Sequence, residues 1–271
     1  MYRDKKSTST VKMPGGHWYD RYGNSCHTVK RADGKGMRNT TLRDARKLSL
    51  GPSVTSVIGC AAKPGLEKWK RDQVFQASQD VPRIAGEDLT SYKRRVITAA
   101  DEVAAKAREK GTLVHDALEQ YYSSQPVSPD CVDIVMAAAD AMNEKFGNVK
   151  WTAEKAFAYV LGFGGKADLF NDNAIVDFKT KEFSDPGKVA SFVYDEHGMQ
   201  LSAYRRGLGI PNAKRYNVFI SVQDGCEGLV AIYEWPEDDN DRHWHMFRHL
   251  LQYWQLSKKY SPDWGEGGND E

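Results

Sequence analysis

Gly162–Lys181, GFGGKADLFNDNAIVDFKTK, decides how the rest of the chain is read. It contains two short strands, Gly164–Asn171 and Ala174–Thr180. Asp172-Asn173 between them suits a two-residue hairpin turn, because Asp and Asn tolerate positive φ. That turn sets a register in which Asp168 lies opposite Asp177. Side chains alternate along a strand, so Asp177 and Lys179 share one face while Val176 and Phe178 share the other. Two carboxylates and an ammonium thus come together. Cross-strand partners sit roughly 4.5–5.5 Å apart at Cβ, where like charges repel. Lys179 relieves that repulsion in part, and a hard divalent cation such as Mg²⁺ relieves it further. Taken alone, the hairpin fits either a cation site or a solvated edge with Asp177 and Lys179 exposed.

Outward from the hairpin, Trp151–Leu161 reads as the strand before it. After it come a loop at Ser184–Gly187 and a partly or wholly helical segment, Val189–Gly209. Lys214–Val222 alternates Tyr216, Val218 and Ile220 as a strand, and Leu229–Tyr233 pairs with it across Asp224-Gly225. Asp238–Lys259 closes the chain as a helix with Trp244, Phe247, Leu250, Leu251 and Trp254 on its apolar side. Upstream, Lys63–Gln79 is helical, with Leu66, Trp69, Val74 and Phe75 as core candidates. Glu87–Lys110 is a second helix stopped by Gly111. Thr112 caps a third that runs to Ser123, and Asp130–Phe146 is a fourth. This order implies an α/β fold: one mixed central sheet with helices on both faces. Residues 1–60 read as an N-terminal extension. It holds a small β-hairpin unit around Trp18-Tyr19, Tyr22 and Val29, and short helical turns capped near Thr41 and Ser53. Residues 1–16 are expected to be disordered, residues 61–260 form the main domain, and 261–271 a mobile tail.

Composition bounds the function classes. The 271 residues are 40% hydrophobic and 28% charged, as in an ordinary globular protein. With 38 basic and 37 acidic residues the formal net charge is +1, so bulk charge announces no nucleic acid and any basic surface must be local. No apolar run approaches the ~20 residues of a membrane span. The polar N-terminus lacks the apolar core of a secretory signal, which makes the cytoplasm the expected compartment. Cys26, Cys60, Cys131 and Cys226 are far apart and form no C-x-x-C pair, as expected of free thiols.

Other polar residues recur at helical spacing. In GTLVHDALEQYY, His115 and Glu119 are four apart and share a face. In MQLSAYRRGLG, Gln200 and Tyr204 are likewise four apart. Either pair, alone, suits a satisfied and partly buried helix. Glu154 lies on the strand before the hairpin. Lys68, Lys70 and Arg71 surround Trp69, and Arg205-Arg206 form a second basic pair. Such groups hold phosphates and stack bases, though a solvated helix face has the same residues. His243, His245 and His249 on the last helix lack the Glu of a metalloprotease motif and read as a solvated or interfacial cluster.

GTLVHDALE, a strand bearing Glu154, GGKAD, IVDFKT and QLSAY follow one another along the chain. This order resembles the PD-(D/E)XK nuclease superfamily, in the RecB-like and Cas4-like branch that includes mitochondrial genome maintenance exonucleases and phage exonucleases. The resemblance spans Gly111–Tyr204; PSVTSVI and the KPGLEKW helix upstream match more loosely. It implies a restriction-endonuclease-like core and a divalent-metal-dependent DNA exonuclease, acting on single-stranded DNA or DNA ends in recombination, repair or replication. By the same resemblance, Asp168, Asp177, His115 and the Phe178 backbone carbonyl hold Mg²⁺ or Mn²⁺. Lys179 orients the attacking water and stabilises charge on the phosphate. Gln200 and Tyr204 match the family's QxxxY helix, which lines the site, and Glu119 and Glu154 act in support or at a second metal. Lys68, Trp69, Lys70, Arg71 and Arg205 are the expected DNA contacts. Relatives with an iron–sulfur cluster carry three cysteines after the core; only Cys226 stands there, so no cluster is expected. A structure-specific endonuclease on the same core, or a DNA-binding recombination accessory protein with a vestigial site, remain alternatives, and any protein partner in recombination or replication is open.

Overall fold

A computed structural model describes residues 17–264. The disorder expected for residues 1–16, and the part of the expected mobile tail beyond residue 264, lie outside them. In chain order the elements are β1 (Trp18–Tyr19), β2 (Thr28–Lys30), β3 (Met37–Asn39), α1 (Leu42–Leu48), β4 (Gly51–Pro52), α2 (Val54–Ile58), α3 (Pro64–Asp80), α4 (Leu89–Tyr122) and α5 (Val132–Phe146). There follow β5 (Thr152–Tyr159), β6 (Phe163–Phe170), β7 (Ala174–Lys181), α6 (Asp195–Gly207), β8 (Lys214–Ser221), β9 (Val230–Glu234) and α7 (Asp239–Lys258).

The central sheet has the order β5-β6-β7-β8-β9. Its neighbours are antiparallel except β7 and β8, which run parallel because α6 makes the crossover between them. Both faces are covered. On one, Val114 and Leu118 of α4 and Val135 and Met142 of α5 pack on Leu169, Val176, Phe178 and Val218. On the other, Val57 of α2, Leu201 of α6 and Phe247 of α7 pack on Phe163, Ala167 and Ile175. This is the mixed α/β sheet with helices on both faces that the element order implied. Among the described residues, no helix is long and apolar enough to cross a membrane.

The N-terminal segment contributes to the same core. Thr41 caps α1 reciprocally with Asp44, and Ser53 caps α2. β2 and β3 form a hairpin, but β1 pairs with β4, with Trp18 opposite Pro52. Trp18, Ala45, Leu50, Val54 and Ile58 are buried with the core residues of α6 and α7. The first residues of the expected tail are held as well. Trp264 is buried, its Nε1 donates to the Ser49 carbonyl at 2.7 Å, and its ring occupies the space that a side chain on Gly51 would need.

Three expectations need correction. Gly111 does not end a helix: α4 runs unbroken through it. Gly111 is buried against β7, where a Cβ would stand 2.8 Å from Thr180 Oγ1, so glycine serves close helix–strand approach. Leu66, Trp69, Val74 and Phe75 are exposed, not core. α3 packs on the N-terminal half of α4 through a small cluster at Ala77, Val96 and Ala100, which leaves its larger side chains outside. His243 is fully buried, not solvated, with its ring nitrogens 3.2 Å from Arg215 Nη1 and 3.2 Å from Asp195 Oδ1.

Candidate active site

The β6–β7 hairpin closes at Asn171 N–H to the Ala174 carbonyl, 2.9 Å. Neither Asp172 nor Asn173 has positive φ. Asn171 Oδ1 instead accepts from the backbone of Asn173 and Ala174 at 2.9 and 3.0 Å, so a side chain shapes the turn. Leu169 pairs with Val176 and Phe170 with Ile175, the register that sets Asp168 opposite Asp177. The ladder stops there, one pair short of the two carboxylates. On its other side, the β5–β6 ladder skips the pair Glu154–Asp168 while keeping register above and below. Glu154 has φ 54°, a left-handed conformation that costs a non-glycine residue on the order of 1–3 kcal/mol. The facing of β5 inverts at this point: Ala153 packs with α4 and α5, Phe157 with α6 and α7, although four residues apart they would share a face in a regular strand. Asp168 is thus free of ladder pairing on both sides. Its Oδ2 accepts from the Phe178 backbone N–H at 2.8 Å and ties β6 to β7 by a side chain.

Asp177 is 2% exposed, so the hairpin is no solvated edge. Gln200 Nε2 donates to its Oδ1 at 2.7 Å, Asn217 Nδ2 donates to its Oδ2 at 2.7 Å, and Lys179 Nζ lies 2.6 Å from Oδ2. Gln200 also accepts from Lys179 Nζ at 3.2 Å and donates to the Tyr204 hydroxyl at 3.0 Å. One amide on α6 therefore locks the carboxylate, the ammonium and the phenol to each other. Asn217, on β8 beside Asp177, was missed from the sequence. Its Oδ1 accepts from Trp235 Nε1 at 2.7 Å, which fixes its amide toward Asp177. The signal was present: an Asn at the second position of the otherwise apolar run Tyr216–Ile220.

Charges in the site oppose one another. Burial, and then the charge of Asp177, push the Asp168 carboxyl up to about 7, with Lys179 and the Phe178 N–H pulling the other way. Burial and the nearby Lys179 ammonium push His115 down, so its imidazole is neutral, the form that ligates metal. Burial pushes Tyr204 far above the ordinary phenol range. His197 on α6, also missed from the sequence, is pushed down to about 4 by burial and then by Lys179, and its Nδ1 is buried without a hydrogen-bond partner. Lys166 on β6 ion-pairs with Glu154 of β5 and lies 3.6 Å from Glu119 of α4, so it bridges the two carboxylates.

His115 Nδ1 stands 3.9 Å from Asp168 Oδ2, close but not hydrogen-bonded. Among the described residues, no three His, Cys, Asp or Glu side chains form a ready-made cation cage. The donor chemistry nevertheless fits Mg²⁺ or Mn²⁺. A neutral imidazole faces a half-buried carboxyl whose proton is held first by desolvation and then by the charge of Asp177. His115, Glu119, Glu154 and Asp168 line one cleft of about 10 Å³, the size of a single water.

The expected DNA contacts divide. Lys68, Trp69, Lys70 and Arg71 are exposed on α3, with Lys70 paired to Glu67 at 2.9 Å. Arg205 is no DNA contact. It is buried, donates to the Ala213 carbonyl at 3.0 Å and forks onto Glu237 at 2.7 and 2.8 Å. The helical phase of α6 turns Arg205 inward beside β8 and leaves Arg206 outside, where its guanidinium lies 5.5 Å from the Trp244 ring centre.

No protein-family model matches the chain, and no curated protein matches it. Among solved structures, an alkaline exonuclease (LHK-Exo) from Laribacter hongkongensis is similar over 50% of this chain and 74% of that one, at 12% identity and a TM-score of 0.35. The protein SSO0001 is similar over 66% of this chain and 85% of its own, at 15% identity and a TM-score of 0.31. Likenesses this weak carry no weight for function.

Proposed function

We propose that this chain is a divalent-metal-dependent deoxyribonuclease, and more narrowly an exonuclease on single-stranded DNA or DNA ends in recombination, repair or replication. One observation carries the reading: a buried Asp177 held against Lys179, with Asp168 anchored on the neighbouring strand and a neutral His115 beside it. A structural hairpin gains nothing from two carboxyls set so close that the charge of Asp177 makes Asp168 harder to ionise. Mg²⁺ or Mn²⁺ would be held by Asp168, Asp177, His115 and the Phe178 carbonyl. When bound, it supplies Lewis-acid stabilisation of charge developing on the phosphoryl oxygens.

The chain's own residues supply position and protons. A lysine ammonium has three N–H donors. Asp177 and Gln200 engage two on Lys179, which leaves one to donate to a phosphate oxygen or to orient the attacking water. Gln200 keeps Lys179 and Asp177 in fixed relation, and Asn217 and Tyr204 keep Gln200 and Asp177 from turning away. Such preorganised donors are worth most in a site closed to water.

The test is cleavage of end-labelled linear and closed circular single-stranded DNA with Mg²⁺, with Mn²⁺ and with EDTA. Expected is degradation of linear strands only, abolished by EDTA. Equal cleavage of circles would turn the reading to an endonuclease. No metal-dependent cleavage of any strand would leave a DNA-binding accessory protein.

A further inference from the structure

We infer that the groove between the start of α3 and the start of α6 is a nucleobase subsite, seating the base of a nucleotide next to the cleaved phosphate. The inference rests on the nuclease reading above. The groove has a volume of about 550 Å³. Trp69 on α3 and Tyr194 just ahead of α6 line it and stay 37% and 48% exposed, while Met199 and Met246 add apolar surface. Aromatic faces beside adaptable thioethers suit a flat π-ring. Base–aromatic stacking tolerates any base, as a nuclease without sequence preference requires.

Charge at the rim favours the strand that would carry such a base. Its acidic residues are already neutralised: Glu196 pairs with Lys63 at 3.1 Å, and Asp195 with Arg242 at 2.9 Å and with the His243 ring at 3.2 Å. Lys181 remains. Its ammonium lies 5.6 Å from the Phe192 ring centre and has no carboxylate partner among the described residues. Lys181 stands two residues beyond Lys179 on the same face of β7, about 7 Å along the strand, on the order of one nucleotide step. His197 neighbours both sets of residues: its ring stands edge-on to groove-lining Tyr194 at 5.6 Å, and the charges of Lys179 and Asp177 act on it. A base in the groove and a phosphate at Lys179 thus belong to one path.

The experiment uses the full chain with a fluorescein-labelled oligothymidylate in Ca²⁺ or EDTA, read by anisotropy. An abasic nucleotide is walked along a second set of strands. Expected is about tenfold weaker binding for Trp69→Ala, a similar loss for Tyr194→Ala, and near-normal binding for Trp69→Phe but not Trp69→Leu. Wild type should lose about the same factor at one abasic position, which Trp69→Ala should not sense. The subsite is overturned if the variants bind the intact strand like wild type, if Leu rescues as well as Phe, or if no abasic position matters. Should wild type itself neither bind nor cleave any strand, the nuclease reading falls first. Should it cleave normally while the variants bind normally, the subsite alone falls.

Discussion

Asp168 carries a carboxyl whose charge the fold opposes. Its pKa of about 7 in the folded chain lies above the ~3.9 of an unfolded Asp. A raised pKa contributes stability that is complete below the unfolded value and is lost as pH rises through the folded one. In EDTA, wild type should therefore lose stability between about pH 4 and pH 8 relative to Asp168→Asn, by on the order of 1–3 kcal/mol, and saturating Mn²⁺ should narrow the gap. Urea unfolding of both proteins across that range measures it; parallel curves would contradict a carboxyl raised by burial and by the charge of Asp177. Much at this scale was legible from sequence. A two-residue turn leaves one register, so Asp168 opposite Asp177 followed from spacing. The turn's conformation did not, because Asn171 shapes it through its side chain. Nor did the left-handed Glu154 or the role of Asn217, since both depend on a neighbouring strand that local pattern does not name.

At the scale of elements, α4 is the support on which His115 depends. Gly111 lets it approach Thr180 on β7, one residue from Lys179. Gly111→Ala gains up to ~1 kcal/mol of helix propensity but drives a methyl against Thr180 Oγ1. Expected is a folded protein with activity reduced about tenfold or more, as His115 shifts from Asp168 by a fraction of an ångström. Adding Thr180→Ala should restore most of that loss. A Gly111→Ala variant as active as wild type would contradict a need for the close approach. Glycine's ordinary role as a helix stop is what hid this one. The exposed side of α3 was hidden for a related reason: periodicity marks an apolar face, but whether a neighbour covers that face is a tertiary fact.

Across the described residues, Trp18, Ala45, Leu50, Val54 and Tyr260 pack on the core residues of α6 and α7. Trp18 is 6% exposed and its ring lies 5.9 Å from that of Trp254, in T-shaped contact. Trp18→Ala should cost about 3–5 kcal/mol, measured by urea unfolding. A chain starting at residue 61 should show exposed hydrophobic surface and no cooperative transition; a cooperative fold from that fragment would mean the segment is an appendage. The succession of helices and strands along the chain, and with it a mixed sheet covered on both faces, was legible, because each element carries its own period. The pairing of Trp18 with Pro52 was not, since it joins segments more than thirty residues apart through two-residue strands. In the proposed nuclease, Lys179 acts at the phosphate held beside Asp177. Single-turnover cleavage of an end-labelled single strand by wild type and Lys179→Ala, with strand binding measured separately in Ca²⁺, tests it most directly. Expected is a rate at least about a hundredfold lower with binding changed only severalfold, whereas cleavage by Lys179→Ala at the wild-type rate would contradict it.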